Sequence, residues 1–247
     1  MADKEQQSVL SEARTQTQFL DSPLLRKTLQ KSDFRLGDLK RERLSVFLCL
    51  PARYMDTHER WLRIIINLAI GALEPKGRIG ADKRDGRPPV LLLLEEFPAL
   101  KHMEKVEAAA GQLAGSGVKM WFIVQNLGQL TRHYEKRWET FIADAGVITA
   151  FANADSETLQ YLQGKIGDAS MLLSRSPGAS SAALLSGARP LQEDLRKEAL
   201  LEKHETARGF SREKLRLLVL AAGQAPLIVQ RVQYFADLPM FKGMFDE

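Results

Sequence analysis

The chain has 247 residues, of which 45% are hydrophobic, 27% charged and 7% aromatic, a composition that excludes collagenous, wholly disordered and disulfide-scaffold proteins. Lys plus Arg number 35 against 31 Asp plus Glu, so the net charge is only +4, a balance that permits contact with nucleic acid without arguing for it. One cysteine, Cys49, excludes an internal disulfide and a Cys-rich zinc site, and the four histidines show no ligand spacing. The longest apolar runs fall short of the about 20 residues a spanning helix needs, and the polar N-terminus has no signal core. Together these features predict a soluble, cytoplasmic chain in a reducing compartment.

In chain order, residues 5–31 predict helices with a stop and restart at Asp21-Ser22-Pro23. The run Leu44 to Leu50, closed by Pro51, predicts a buried strand that holds Cys49 as a small core residue. Asp56 with Glu59 suggests a capped helix whose Trp61, Leu62, Ile65, Leu68 and Ala69 share one side. A polar loop follows with Lys76, Arg78, Lys83, Arg84 and Arg87, candidates for contact with DNA phosphates as well as an ordinary solvated loop.

Val90 to Leu94 is continuously apolar, as a parallel strand buried on both faces should be. A helix with Leu100, Met103, Val106, Ala110 and Leu113 on its core face leads to a strand at Val118 to Val124. Helical segments near Gln129 and Trp138, a strand at Val147 to Phe151 and a helix capped by Asp155 complete the alternation. Strand and helix in turn predict an α/β fold, a mostly parallel sheet covered by helices on both faces. After Gly167 the rhythm breaks: Ser174 to Gly187 reads as a mobile loop, Leu191 to Thr206 as a charged helix, and Leu215–Ala222 with Pro226–Arg231 as two closing strands.

The chemistry concentrates at the end of the strand Val90–Leu94, because open parallel sheets bind ligands at the carboxyl ends of their strands. Two carboxylates there suit nucleotide hydrolysis, Glu95 orienting Mg²⁺ through water and Glu96 activating the attacking water as general base. The same pair also suits the first turn of a helix, where the dipole favours negative charge. Gln125 closes the next strand, where a neutral amide can sense a γ-phosphate and signal to a neighbouring subunit, or cap the helix that follows.

The segments Val90-Leu-Leu-Leu-Leu-Glu-Glu-Phe-Pro-Ala-Leu100, Trp121-Phe-Ile-Val-Gln-Asn-Leu-Gly-Gln-Leu130 and Trp138-Glu-Thr-Phe-Ile-Ala-Asp-Ala-Gly146 resemble the TraG/TraD family of type IV secretion coupling proteins. Asn153-Ala-Asp-Ser-Glu-Thr158, Phe241-Lys-Gly-Met-Phe245, Ser11-Glu-Ala-Arg-Thr-Gln16 and Ser45 to Pro51 extend the match over nearly the whole chain, most weakly from Leu172 to Phe210. The resemblance implies a RecA-like, P-loop NTPase-type ATPase domain, here incomplete at its N-terminal side. It also implies ATP and Mg²⁺ as cofactors and a hexameric ring with full-length subunits at the cytoplasmic face of the bacterial inner membrane. Relaxase, single-stranded DNA and channel components of the secretion system are the implied partners. Glu95 and Glu96 then match the Walker B pair and Gln125 the glutamine of the third ATPase motif. Residues 1–40 correspond to a remnant of the family's helical insertion and 41–170 to part of the ATPase core. Residues 171–210 correspond to a loop and charged helix, and 211–247 to closing strands and a tail.

Three departures from the family stand out. No glycine-rich loop ending Gly-Lys-Ser or Gly-Lys-Thr occurs in the sequence; Gly111–Gly117 closes a helix, and Gly164-Lys165-Ile166 has no hydroxyl for the metal. The chain therefore reads as a C-terminal portion lacking Walker A and membrane helices, inactive alone. Glu95 stands where the family usually has Asp. The intersubunit arginine has no clear match, although Lys119, Arg132 and Arg137 lie nearby. The alternative function is a non-enzymatic module that docks on relaxase or on the full-length coupling protein.

Overall fold

A computed structural model describes residues 2–74, 89–175, 192–233 and 236. The chain divides into two compact units, one comprising residues 1–125 and 129–144, the other 126–128 and 145–247.

The first unit opens with α1 (Ala2–Thr17) and α2 (Pro23–Leu29). The restart between them is as the sequence predicts: Ser22 accepts a hydrogen bond from the Leu25 N–H and Pro23 occupies the first helical position. Residues 44–50 are not a strand. They carry no ladder partner, Phe47 is 84% exposed and Cys49 is an exposed free thiol, because an apolar run becomes a strand only where a neighbour takes up its backbone groups. Helix α3 (Met55–Leu73) begins one residue before Asp56, which therefore lies in the first turn and is not the cap. Its buried stripe includes Leu62, Ile66, Ala69, Ile70 and Leu73, whereas Leu68 faces outward at 56% exposure. That stripe packs on the helical segment Glu104–Gln112 and on the turn at Phe97–Leu100.

Strands β1 (Val90–Leu94) and β2 (Val118–Phe122) pair in parallel, Val90 beside Val118 and Leu94 beside Phe122. Between them runs α4 (Glu104–Gln112), which passes through a short 3₁₀ turn to Gly117. Gly117 adopts φ 83°, a left-handed value glycine reaches without a Cβ clash, and there the chain enters β2. One face of the pair holds Leu94 and Val118, both buried. The other presents Leu91, Leu93 and Trp121, each more than half exposed. Helices α5 (Leu127–Tyr134) and α6 (Trp138–Ala143) supply Tyr134 and Phe141, which close an aromatic cluster with Phe97 and Phe122 at centroid separations of 4.8–5.6 Å.

In the second unit, β3 (Val147–Ala150), β6 (Arg216–Ala221) and β7 (Leu227–Gln230) form an antiparallel sheet in the order β3-β6-β7. Helix α7 (Ser156–Ile166) is capped by Asp155, which accepts the Thr158 N–H at 2.8 Å. With α8 (Lys203–Gly209) it encloses a core of Leu162, Ile166, Phe210 and Leu218. The charged segment after residue 191 is not a helix throughout: Gln192–Ala199 is β5, paired antiparallel along its length with β4 (Asp168–Arg175). The ladder overrides the helix propensity of that charged run, and only Lys203–Gly209 is helical. Ser174 and Arg175 belong to β4; the rest of the Ser/Gly/Ala-rich stretch lies outside the described residues. So do Lys76, Arg78, Lys83, Arg84 and Arg87.

Thr206, 2% exposed, keeps its Oγ1 without a hydrogen-bond partner among the described residues beside this core. A buried unpaired hydroxyl costs about 1–3 kcal/mol, so Thr206→Val is expected to raise the unfolding free energy by about 1 kcal/mol in urea. A loss of that size instead would show that the hydroxyl is bonded in solution.

Candidate nucleotide-hydrolysis site

The end of β1 is built by its own hydrophobicity. Leu94 is buried, and the next two residues, both exposed glutamates, turn the chain away from the sheet. Glu96 sits at φ 49°, ψ 40°, an unusual left-handed conformation for a residue with a side chain. A four-residue 3₁₀ turn, Phe97–Leu100, follows with Pro98 at its start, and α4 opens only at Glu104. The carboxylates therefore stand on a strand-end turn and not in the first turn of an α-helix.

Two backbone bonds continue the ladder beyond the strands: Ile123 N–H donates to the Leu94 carbonyl at 3.1 Å, and Phe97 N–H donates to the Ile123 carbonyl at 3.2 Å. They level the ends of β1 and β2. As a result Gln125 Nε2 lies 3.2 Å from each of the two carboxylate oxygens of Glu96. The Gln125 backbone N–H in turn donates to Gln129 Oε1 at 3.3 Å. Glu96 and Gln125 thus meet at the carboxyl-terminal edge of the pair, and Glu95 is exposed beside Glu96 in the chain without a contact to either among the described residues.

The turn after Glu96 is held from below by groups the sequence did not single out for this purpose. Lys101 has φ 58° and ψ −160°, and its ammonium pairs at 2.6 Å with Glu59, which α3 buries almost completely. Arg63, also on α3, donates to the Leu100 carbonyl at 2.5 Å. Fully buried Tyr134 accepts the Met103 N–H at 3.2 Å and donates its hydroxyl to the Lys101 carbonyl at 3.3 Å. Burial pushes the Tyr134 phenol up to about 12. His133, next to it, is held below the ordinary histidine range, first by burial and then by Arg132. These contacts join residues 31–42 positions apart, and only their sequence neighbourhood, not their spacing, hints at them.

The candidate intersubunit cations separate. Lys119 pairs with Leu91 near the start of β2, six residues from Gln125 and so about 20 Å from the carboxylate edge at strand rise. Arg137 is engaged on its own chain, 3.6 Å from Glu107 Oε2 and 3.3 Å from His102 Nε2. Arg132 is exposed on α5. Among the described residues no three His, Cys, Asp or Glu side chains converge as a metal cage. The two exposed carboxylates of Glu95 and Glu96 are of the kind that Mg²⁺ takes, one or two carboxylates with its remaining positions filled by water and phosphate oxygens.

A family model described as type IV secretory system conjugative DNA transfer matches residues 1–246. The chain belongs to that family. Protein VirD4 of Agrobacterium fabrum is 29% identical over 231 residues, covering 91% of this chain and 32% of that protein. Conjugal transfer protein TraG of Escherichia coli is 24% identical over 261 residues, covering 97% of this chain and 40% of that one. The chain thus spans about a third of the VirD4 relatives' length. Among solved structures, the unbound conjugative coupling protein TrwBdeltaN70 superposes with a TM-score of 0.64 at 12% identity, over 83% of this chain and 45% of that one. TrwB in complex with ADP and Mg²⁺ gives 0.61 at 14% identity, over 83% and 44%. The fold is the RecA-like α/β fold of the coupling proteins, as the family resemblance implied. Among the described residues no helix is long and apolar enough to cross a membrane.

The buried phenol gives a direct check. Because the folded state keeps Tyr134 protonated to about 12 against an ordinary 10, its stabilisation is complete below pH 10 and fades as pH rises toward 12. A spectrophotometric titration should show a tyrosine component ionising near pH 12 that Tyr134→Phe removes. The same variant leaves the Met103 N–H unpaired and should cost about 1–3 kcal/mol in a urea melt.

Proposed function

We propose that this chain contributes the metal-orienting carboxylate, the general base and the phosphate-sensing amide to an ATP-hydrolysing coupling-protein ring that drives conjugative DNA transfer. The meeting of Glu96 and Gln125 across the ends of β1 and β2, with Glu95 next to Glu96 in the chain, carries this reading. Glu95 is exposed at the strand end and makes no hydrogen bond or ion pair among the described residues, as a ligand for a hydrated cation should. When bound, Mg²⁺ supplies neutralisation of charge on the β- and γ-phosphate oxygens. Glu96 accepts a proton from water at a free carboxylate lone pair. Gln125 offers an amide donor to a terminal phosphate oxygen.

The sequence holds no Gly-Lys-Ser or Gly-Lys-Thr phosphate loop, so that element belongs to another polypeptide segment of the ring. The solved TrwB complexes with ADPNP and with ADP and Mg²⁺ support nucleotide as the ligand class. Relaxase-bound single-stranded DNA as cargo, the secretion channel as partner and the cytoplasmic face of the inner membrane as location follow from the family. The basic residues Lys76, Arg78, Lys83, Arg84 and Arg87 are the proposed DNA contacts.

A second reading, a non-enzymatic docking module, is favoured by the exposed Leu91, Leu93 and Trp121 face. ATP turnover separates the two. The purified chain alone is expected to give none. Mixed with a full-length family member whose own tandem carboxylates have been neutralised, it should restore turnover, and Glu96→Gln should abolish the restoration. Restored turnover that Glu96→Gln leaves intact, or turnover by the chain alone that Glu96→Gln removes, would contradict the first reading. Binding without any restored turnover would favour the docking module.

A further inference from the structure

A glutamate with three side-chain torsions, exposed on a turn, is a poor general base unless something fixes its carboxylate plane. Effective bases are themselves oriented by a third group. In this chain one amide faces both oxygens of Glu96: Gln125 Nε2 is 3.2 Å from Oε1 and 3.2 Å from Oε2. The symmetry settles the amide orientation, because the opposite rotamer would set a carbonyl oxygen against a carboxylate. A single nitrogen equidistant from two oxygens leaves each oxygen a further lone pair, so the contact aims the carboxylate without occupying it.

Gln125 is itself anchored. Its backbone N–H is held by Gln129 Oε1, and the ladder bonds at Leu94, Ile123 and Phe97 keep its strand end level with that of β1. The left-handed backbone of Glu96 directs the side chain from the turn, and the anchored amide meets it.

We propose that Gln125 is the positioning residue of Glu96 within the same chain, tying the orientation of the base to the group that senses phosphate. This rests on the hydrolytic reading and adds an intrachain route to the intersubunit role expected from the sequence. Base alignment and the sensing role expected from the sequence then fall on one side chain.

The contact is read by NMR on the full 247-residue chain with labelled glutamine side-chain amides. At constant pH the Gln125 side-chain amide signals should move in Glu96→Gln, which removes the charged acceptor, and stay in place in Glu95→Gln. Both glutamates are exposed, so the variants should keep the wild-type melting temperature. Signals that stay in place in Glu96→Gln, or that move equally in Glu95→Gln, would overturn the proposal. In the mixed assembly that restores turnover, Gln125→Ala should lower kcat about 10-fold to 100-fold with KM unchanged. A raised KM with unchanged kcat would overturn the positioning role and leave Gln125 as a nucleotide contact only. Failure of the wild-type mixture to turn over ATP would count against the hydrolytic reading, whereas the NMR outcome reads the Glu96–Gln125 tie independently of it.

Discussion

The parallel pairing of β1 with β2, carried two hydrogen bonds beyond the strands themselves, is the constraint from which the site follows. Ile123 N–H to Leu94 and Phe97 N–H to Ile123 bring the two strand ends to one level, so that side chains leaving residues 96 and 125 meet. Below the same edge the rings of Phe97, Phe122, Tyr134 and Phe141 pack edge and face. Phe97 belongs to both systems: its backbone extends the ladder and its fully buried ring fills the cluster. Apolar burial thereby determines where two exposed polar groups stand.

Rigidity beneath the turn complements this. Glu96 and Lys101 flank the 3₁₀ turn in backbone conformations that side-chain-bearing residues rarely adopt. Such conformations persist where surrounding contacts over-determine them. Here Arg63 and Glu59 reach up from α3, and Tyr134 bonds both Met103 and Lys101. Glu96 is exposed to solvent, as the proposed water-activating group must be, while the support of its turn is buried.

Some of this was legible in the sequence. Val90–Leu94 announced a parallel strand by unbroken hydrophobicity, although the expected burial on both faces fails where Leu91 and Leu93 stand more than half exposed; the two glutamates after it mark the proposed site. Asp155 was readable as a cap and Asp21-Ser22-Pro23 as a stop and restart, since both follow from local composition. Residues 44–50 misled because hydrophobicity reports a preference for burial, while strand formation needs a hydrogen-bonding neighbour. The charged stretch Gln192–Ala199 misled in the opposite sense, its pairing with Asp168–Arg175 being a long-range event that local propensity does not encode. Tyr134 and Glu59 were invisible as supports because their partners lie more than thirty positions away.

If the extended ladder is what aligns the site, the amides of Phe97 and Ile123 must be as slow to exchange as those inside β1 and β2. Native-state hydrogen exchange resolved at single amides measures this directly. Protection of both amides close to that of Leu92 and Met120 is the expected result. Fast exchange at Phe97 and Ile123, with the strands themselves protected, would show that the ladder ends at Leu94 and that nothing in the backbone holds Glu96 level with Gln125.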